Sequence, residues 1–254
     1  MMNIVSRLLT GMAIVLSLVT PVSGETRSIC VKEFKHSDRV YYIAWNPSNS
    51  ELLASGSHDW TMHVWNIKTG EKVAEFEHDG VVYSIAWHPS DPNLLASRNG
   101  SQDRTMCVWN IKTGEKVAEF KHDDWVFGIA WHPSNPSLLA SCSYDKTVRV
   151  WNIKTDEKIA EFKHDHLVRC IAWHPSDPNL LASCSYDKTV RVWNIKTDEK
   201  VAEFKYGSEV EVIAWHPSNP NLLASGSKDG TVRVWNIKTG EKVAEFKHDN
   251  DINS

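Results

Sequence analysis

Hydrophobic and polar positions alternate along most of this chain in short runs of a fixed order. The runs "VFGIAW" (126–131), "LLASCS" (138–143), "TVRVW" (147–151) and "KIAEF" (158–162) are rich in β-branched, aromatic and alternating apolar residues, which predicts four strands. Turn formers separate them: His-Pro-Ser-Asn-Pro at 132–136, Tyr144-Asp145-Lys146, and Lys154-Thr155-Asp156. Four strands in about 42 residues make one antiparallel sheet, too small to bury both faces by itself.

The order then repeats. Trp45, Trp87, Trp131, Trp173 and Trp215 each end an "IAW" triplet, and Trp65, Trp109, Trp151, Trp193 and Trp235 each sit in "VWN". The spacing is 42 residues, with one interval of 44 in each series where Arg98-Asn99 is inserted. Repeats of about 36–77, 78–121, 122–163, 164–205 and 206–247 result. Stacking such sheets around an axis would cover their faces, as propeller blades do. The expected fold class is all-β: a β-propeller of four-stranded antiparallel blades, five complete repeats plus an extra N-terminal outer strand, "CVKEF" at 30–34.

These units resemble the WD-repeat β-propeller family, whose repeats run from a Gly-His pair to a Trp-Asp pair. The resemblance covers about Glu33 to Asp249, with two systematic departures. Trp-Asp is Trp-Asn throughout, at Asn66, Asn110, Asn152, Asn194 and Asn236, and a charged residue such as Lys35, Glu77 or Lys121 precedes the His. The resemblance implies a structural hydrogen-bond network of His, strand Ser, turn Asp and Trp indole. Its members would be His36, Ser55, Asp59 and Trp65, then His78, Ser97, Asp103 and Trp109, then His122, Ser141, Asp145 and Trp151, then His164, Ser183, Asp187 and Trp193. The fifth unit keeps Ser225, Asp229 and Trp235 but carries Tyr206 in place of His. A buried hydrogen bond lost there costs on the order of 1 kcal/mol unless the phenol finds another partner.

Five inner sets against six outer strands leave closure open. A tight five-blade ring, an open arc, and copies associating through unclosed blade edges all fit the count, and an open arc exposes strand edges.

The first 24 residues differ from the rest. Arg7, an apolar run from Leu8 to Val22 and a small-residue exit predict a signal peptide over 1–24, with the repeat domain at 25–254. The expected location is secreted or periplasmic, with the cytoplasm as alternative, and no membrane span is expected in the mature chain. Five cysteines without framework spacing imply no disulfide scaffold, and Cys142 and Cys184 read as small core residues. A net charge of −4 gives no basic footprint for nucleic acid.

Candidate chemistry is sparse. His88, His132, His174 and His216 recur one per unit in "WHPS", a spacing that suits turns better than a metal site. Ser, His and Asp recur as a possible triad, but one active site does not need five copies. No catalytic residue, metal or cofactor is therefore expected.

What does vary are two columns. One enters the innermost strand and includes Arg39 and Tyr41, Val81 and Tyr83, Trp125 and Phe127, Leu167 and Arg169, and Glu209 and Glu211. The other precedes the turn Asp: His58, Gln102, Tyr144, Tyr186 and Lys228. The resemblance implies that both lie on one face around the channel mouth, where partners dock. Aromatics and Arg are favoured at binding hot spots. The expected function is a non-catalytic protein-binding scaffold, with a lectin-like or small-ligand-sensing module as the alternative.

Overall fold

A computed structural model describes the backbone of residues 4–8, 13–22, 25–100 and 104–248, and the side chains of 32–100 and 104–248. Strands β1 (Ile4–Leu8), β2 (Ala13–Val22) and β3 (Glu25–Lys35) form a three-stranded antiparallel sheet in chain order.

Five four-stranded sheets follow, each ordered as its repeat is written. The first holds β4 (Val40–Trp45), β5 (Leu52–Ser57), β6 (Thr61–Asn66) and β7 (Lys72–Glu77). The second holds β8 (Val82–Trp87), β9 (Leu94–Asn99), β10 (Thr105–Asn110) and β11 (Glu115–Lys121). The third holds β12 (Val126–Trp131), β13 (Leu138–Ser143), β14 (Thr147–Asn152) and β15 (Glu157–Lys163). The fourth holds β16 (Val168–Trp173), β17 (Leu180–Ser185), β18 (Thr189–Asn194) and β19 (Glu199–Lys205). The fifth holds β20 (Val210–Trp215), β21 (Leu222–Ser227), β22 (Thr231–Asn236) and β23 (Lys242–Lys247).

Packing divides the chain into two compact units, residues 1–103 with 107–117, and 104–106 with 118–254. In the first unit, Ala54, Met62, Val64 and Phe76 of the first sheet pack against Val82, Ile85 and Leu95 of the second. In the second unit the same positions recur: Ala140, Val148, Val150 and Phe162 against Val168, Ile171 and Leu181, then Ala182, Val190, Val192 and Phe204 against Val210, Ile213 and Leu223. Alternation along each strand supplies an apolar face to both neighbours, so burial of repeated aliphatics drives the stacking.

Polar ties fix the register of one sheet on the next. The indoles of Trp87, Trp173 and Trp215 donate to the carbonyls of Ala44, Ala130 and Ala172 in the preceding sheet, at 2.8, 3.0 and 3.0 Å. The "WHPS" histidines do more than shape turns. His132 and His174 donate from Nε2 to the carbonyls of Pro178 and Pro220 in the next sheet, at 2.7 and 2.8 Å. Their Nδ1 atoms accept the turn amides of Asn135 and Asp177 at 2.8 Å. Asn46 serves both purposes in the first sheet, donating to Pro92 O at 2.9 Å while its Oδ1 accepts Ser48 N and Asn49 N.

The expected propeller needs correction. Five four-stranded antiparallel sheets are present, but no sheet is closed into a propeller-like barrel. The N-terminal outer strand does not complete a blade: β3 pairs with β2, and β23 already supplies the outer strand of the last sheet. Aromatic packing shows the consequence. Phe34, Phe76, Phe120, Phe162 and Phe204, which end outer strands, are 2–3% exposed, each against the Trp of the following repeat at 4.7–5.1 Å between ring centroids. Phe246, the counterpart in the fifth sheet, is 58% exposed.

Candidate functional site

Each sheet carries a polar cluster that must be understood before the variable face. In the third, Trp151 Nε1 donates to Ser141 Oγ at 2.8 Å, Ser141 meets His122 Nε2 at 2.7 Å, and His122 Nδ1 meets Asp145 Oδ2 at 2.8 Å. One tautomer satisfies all four groups: His122 carries its proton on Nδ1 and donates to Asp145, and Nε2 accepts from Ser141. The fourth sheet repeats this with His164, Ser183, Asp187 and Trp193, every contact at 2.8 Å. In the first, His36 and Trp65 reach Ser55 at 2.7 and 2.8 Å, and Asp59 lies 3.1 Å from His36. In the second, His78 and Trp109 reach Ser97 at 2.8 Å each, and His78 Nδ1 donates to Phe76 O, while Asp103 lies outside the described residues.

In the fifth sheet the phenol takes over the imidazole's place. Trp235 donates to the Tyr206 hydroxyl, which in turn bonds Ser225. Tyr206 therefore finds the partners that its substitution for His put in question. Asp229, with no imidazole to hold, keeps the Thr and Arg contacts that Asp145 and Asp187 also make, here to Thr231 and Arg233.

Burial lowers the affinity of His36, His122 and His164 for a second proton, against the pull of their Asp partners. Burial alone would push Asp59, Asp145 and Asp187 up, but hydrogen bonds from Thr and His outweigh it and hold them well below the usual carboxylate range. The pairing is thus neutral imidazole with charged carboxylate. Ser55, Ser97, Ser141 and Ser183 are fully buried, and each spends its oxygen on an indole. No substrate carbonyl can reach them, so the Ser-His-Asp resemblance is structural.

The variable columns come together around a shared irregularity. In every sheet the innermost hairpin shifts register by one residue, between Val40 and Tyr42, Val82 and Ser84, Val126 and Gly128, Val168 and Cys170, and Val210 and Val212. The residues passed over are Tyr41, Tyr83, Phe127, Arg169 and Glu211. A bulge frees its residue from the ladder and re-aims the side chain. The valines before the bulges are buried in the packing between sheets. A second device joins the columns: the carbonyls of Arg39, Val81, Trp125, Leu167 and Glu209 accept the amides of His58, Gly100, Tyr144, Tyr186 and Lys228 at 2.7–3.1 Å. In the second sheet this donor is Gly100, displaced from the expected column by the two-residue insertion, while Gln102 lies outside the described residues.

In the first unit, Tyr41 and Tyr83 pack at 4.9 Å, Tyr41 lies 6.0 Å from the His58 ring, and Arg98 sits over Tyr83. Arg39 is exposed and Val81 half-buried. In the second unit, Trp125 is 48% exposed and Tyr144, also exposed, stacks on Phe127 at 5.9 Å. Arg169 lies over Phe127 at 5.2 Å and donates from Nε to Glu211 at 2.9 Å. Tyr186 donates to the same carboxylate at 2.5 Å, and Lys228 approaches it at 3.3 Å while lying 4.2 Å over the Tyr186 ring. Burial pushes the Glu211 carboxyl up, but hydrogen bonds from Tyr186, Arg169 and Lys228 outweigh it, so the group stays below its ordinary range. Two columnar residues are not surface groups: Leu167 and Glu211 are each 4% exposed. Glu209 is half-buried and accepts from Ser208 Oγ at 2.7 Å.

The WD domain, G-beta repeat model matches five times, at residues 28–66, 70–110, 114–152, 156–194 and 199–236. The chain belongs to the WD40 repeat family. WD40 domains are non-catalytic and generally act as scaffolds for protein interaction, so the chain is not an enzyme. Among the described residues no group of three or more His, Cys, Asp or Glu side chains could hold a metal ion, and no helix is long and apolar enough to cross a membrane. No curated protein matches the chain. The Trp-Asn departure from the family pattern has a local reason: Asn66, Asn110, Asn152, Asn194 and Asn236 accept the amide two residues on, at 2.9–3.0 Å, a task that needs only a side-chain oxygen.

Sequence reasoning missed Arg98 as a site residue, and it singled out His166 only as a variable position entering the innermost strand. Arg98 belongs to the insertion, which was the visible signal, and His166 stacks on Tyr186 at 6.1 Å. The only mark the bulges leave in the sequence is a Val and an Ile three positions apart, which unbroken alternation would turn to opposite faces but which pack together.

Proposed function

We propose that this WD40 chain is a protein-binding scaffold whose partner docks on the variable side chains at and beside the bulges of the second unit, chiefly Trp125, Phe127, Tyr144, Arg169 and Tyr186. The supporting observation is that the residue each bulge re-aims belongs to the positions that vary among near-identical repeats. Exposed aromatics beside a guanidinium suit a hot spot. The carboxylate of Glu211 orients Arg169, Tyr186 and Lys228 rather than meeting the partner itself. A Trp125→Ala, Arg169→Ala double variant, compared with wild type by affinity capture and titration of each captured protein, should bind at least tenfold more weakly. Equal binding by the two would remove this face from consideration. A glycan array decides against the lectin-like reading if it stays blank. The leader-like first 24 residues support a secreted or periplasmic location, checked by the mass of the exported product.

Two copies of the chain further pair through the last sheet. Phe246 is exposed, Val232, Val234 and Trp235 are half-buried, and Val212, Ala214, Ala224 and Val232 line an apolar groove. On the first sheet the equivalent seat, Trp65, is already filled by Phe34. The open face therefore has its own copy as complement.

A further inference from the structure

We propose that Cys170 and Cys184 are a disulfide-forming thiol pair, oxidised in place by a hydroperoxide. The register of β16 on β17 sets the two residues directly opposite each other. Opposed residues on antiparallel strands project to one face, and their Cα separation of about 4.5–5.5 Å lies inside the range a disulfide spans. The corresponding pairs elsewhere are Tyr42 with Gly56, Ser84 with Arg98, Gly128 with Cys142, and Val212 with Gly226. The fourth sheet alone has thiols on both strands.

Both cysteines are free. Their surroundings differ in a useful way. Cys184 is fully buried, and burial pushes its thiol up. Cys170 is half-buried; the Cys184 thiol, helped by the Ile213 amide and the Arg169 charge, overcomes burial and pulls it down to about 7.

Cys170 is therefore the attacking thiolate and Cys184 the resolving thiol. In the first step Cys170 Sγ bonds one peroxide oxygen, the O–O bond breaks, and the leaving hydroxide takes up the Cys170 proton as water. In the second, Cys184 Sγ bonds the Cys170 sulfenic sulfur, the S–O bond breaks, and hydroxide leaves with the Cys184 proton as a second water. Two thiols supply two electrons and hydrogen peroxide accepts them.

Trypsin cuts after Arg169 and Lys188, so both sulfurs fall in one peptide, 170–188. The folded full-length chain is treated with hydrogen peroxide, quenched with catalase, then unfolded and alkylated. This peptide should be two hydrogens lighter and alkylated at neither cysteine, and dithiothreitol should restore both sites. A Cys184→Ser variant should instead trap a dimedone adduct on Cys170. Should that variant not fold, the wild-type peptide decides alone. Free thiols at both positions, a sulfinic acid on Cys170 without the disulfide, or a bridge to Cys142 in peptide 122–146 would each overturn the proposal.

Discussion

At the scale of single residues, one position shows how the repeats tolerate change. In the third and fourth sheets Arg149 and Arg191 bridge the turn carboxylate to an outer-strand Glu, reaching Asp145 and Asp187 at 3.3 and 3.2 Å and Glu161 and Glu203 at 3.1 Å. The first sheet has His63 there, stacked on His36 at 3.9 Å between centroids. Burial, the neighbouring His36 and the Lys72 charge pull His63 down to about 4, against Glu75, which lies 3.3 Å away. Thr61 also contacts its Nε2. A histidine whose folded value lies below its unfolded value of about 6.5 favours the folded state above that pH and loses this contribution as pH falls towards 4. Stability should therefore decline between pH 6.5 and 4, before the turn carboxylates begin to protonate. Replacing His63 by the Arg of its sister sheets (His63→Arg) should make that decline shallower, leaving the share that the buried His36, His122 and His164 contribute. Urea midpoints at pH 7 and pH 5 measure it, and parallel slopes for the two proteins would refute the assignment.

At the scale of elements, the turn before each outer strand carries an avoidable conformational cost. Gly70, Gly114 and Gly240 adopt φ of 87°, 75° and 75°, and the fourth-sheet counterpart Asp198 is held at 61°. A side chain at such a φ is unfavourable, although Asp bears it better than most. An Asp198→Gly variant should gain about 0.5–1 kcal/mol, read as a higher denaturant midpoint with unchanged slope. Loss of stability would mean that the Asp198 carboxylate makes a contact worth more than the strain. This scale was also the most legible in the sequence. "VFGIAW" and "LLASCS" became β12 and β13 residue for residue, and "TVRVW" and "KIAEF" grew by one or two residues into β14 and β15. Alternation reports which residues face the core, and the core is what repeats. The tie from His132 to Pro178 was not legible, because it depends on how a sheet meets its neighbour.

At the scale of the whole molecule, the sequence misled. The resemblance implied propeller blades and left ring, open arc and paired edges open, yet the five sheets do not close, and the extra outer strand β3 pairs with β2 instead of joining a blade. The last sheet keeps its own outer strand, β23, and its outer aromatic, Phe246, is exposed. The members of its open face are the counterparts of Ala182, Val190, Val192 and Phe204, which the next repeat buries completely or nearly so. Exposed aromatic and aliphatic groups in that arrangement favour association, and a face that meets its own copy closes as a two-fold dimer instead of growing a filament. Sedimentation of the wild-type chain should show a monomer–dimer equilibrium with no larger species. A Phe246→Asp variant, with a charge at the centre of the contact and no buried neighbour disturbed, should shift it to monomer while leaving the thermal midpoint of the dilute protein unchanged. A wild type that stays monomeric at tens of micromolar ends the idea. A ladder of trimers and tetramers would point to head-to-tail contact, with Phe246 displacing Phe34 from Trp65, and would exclude the two-fold pairing.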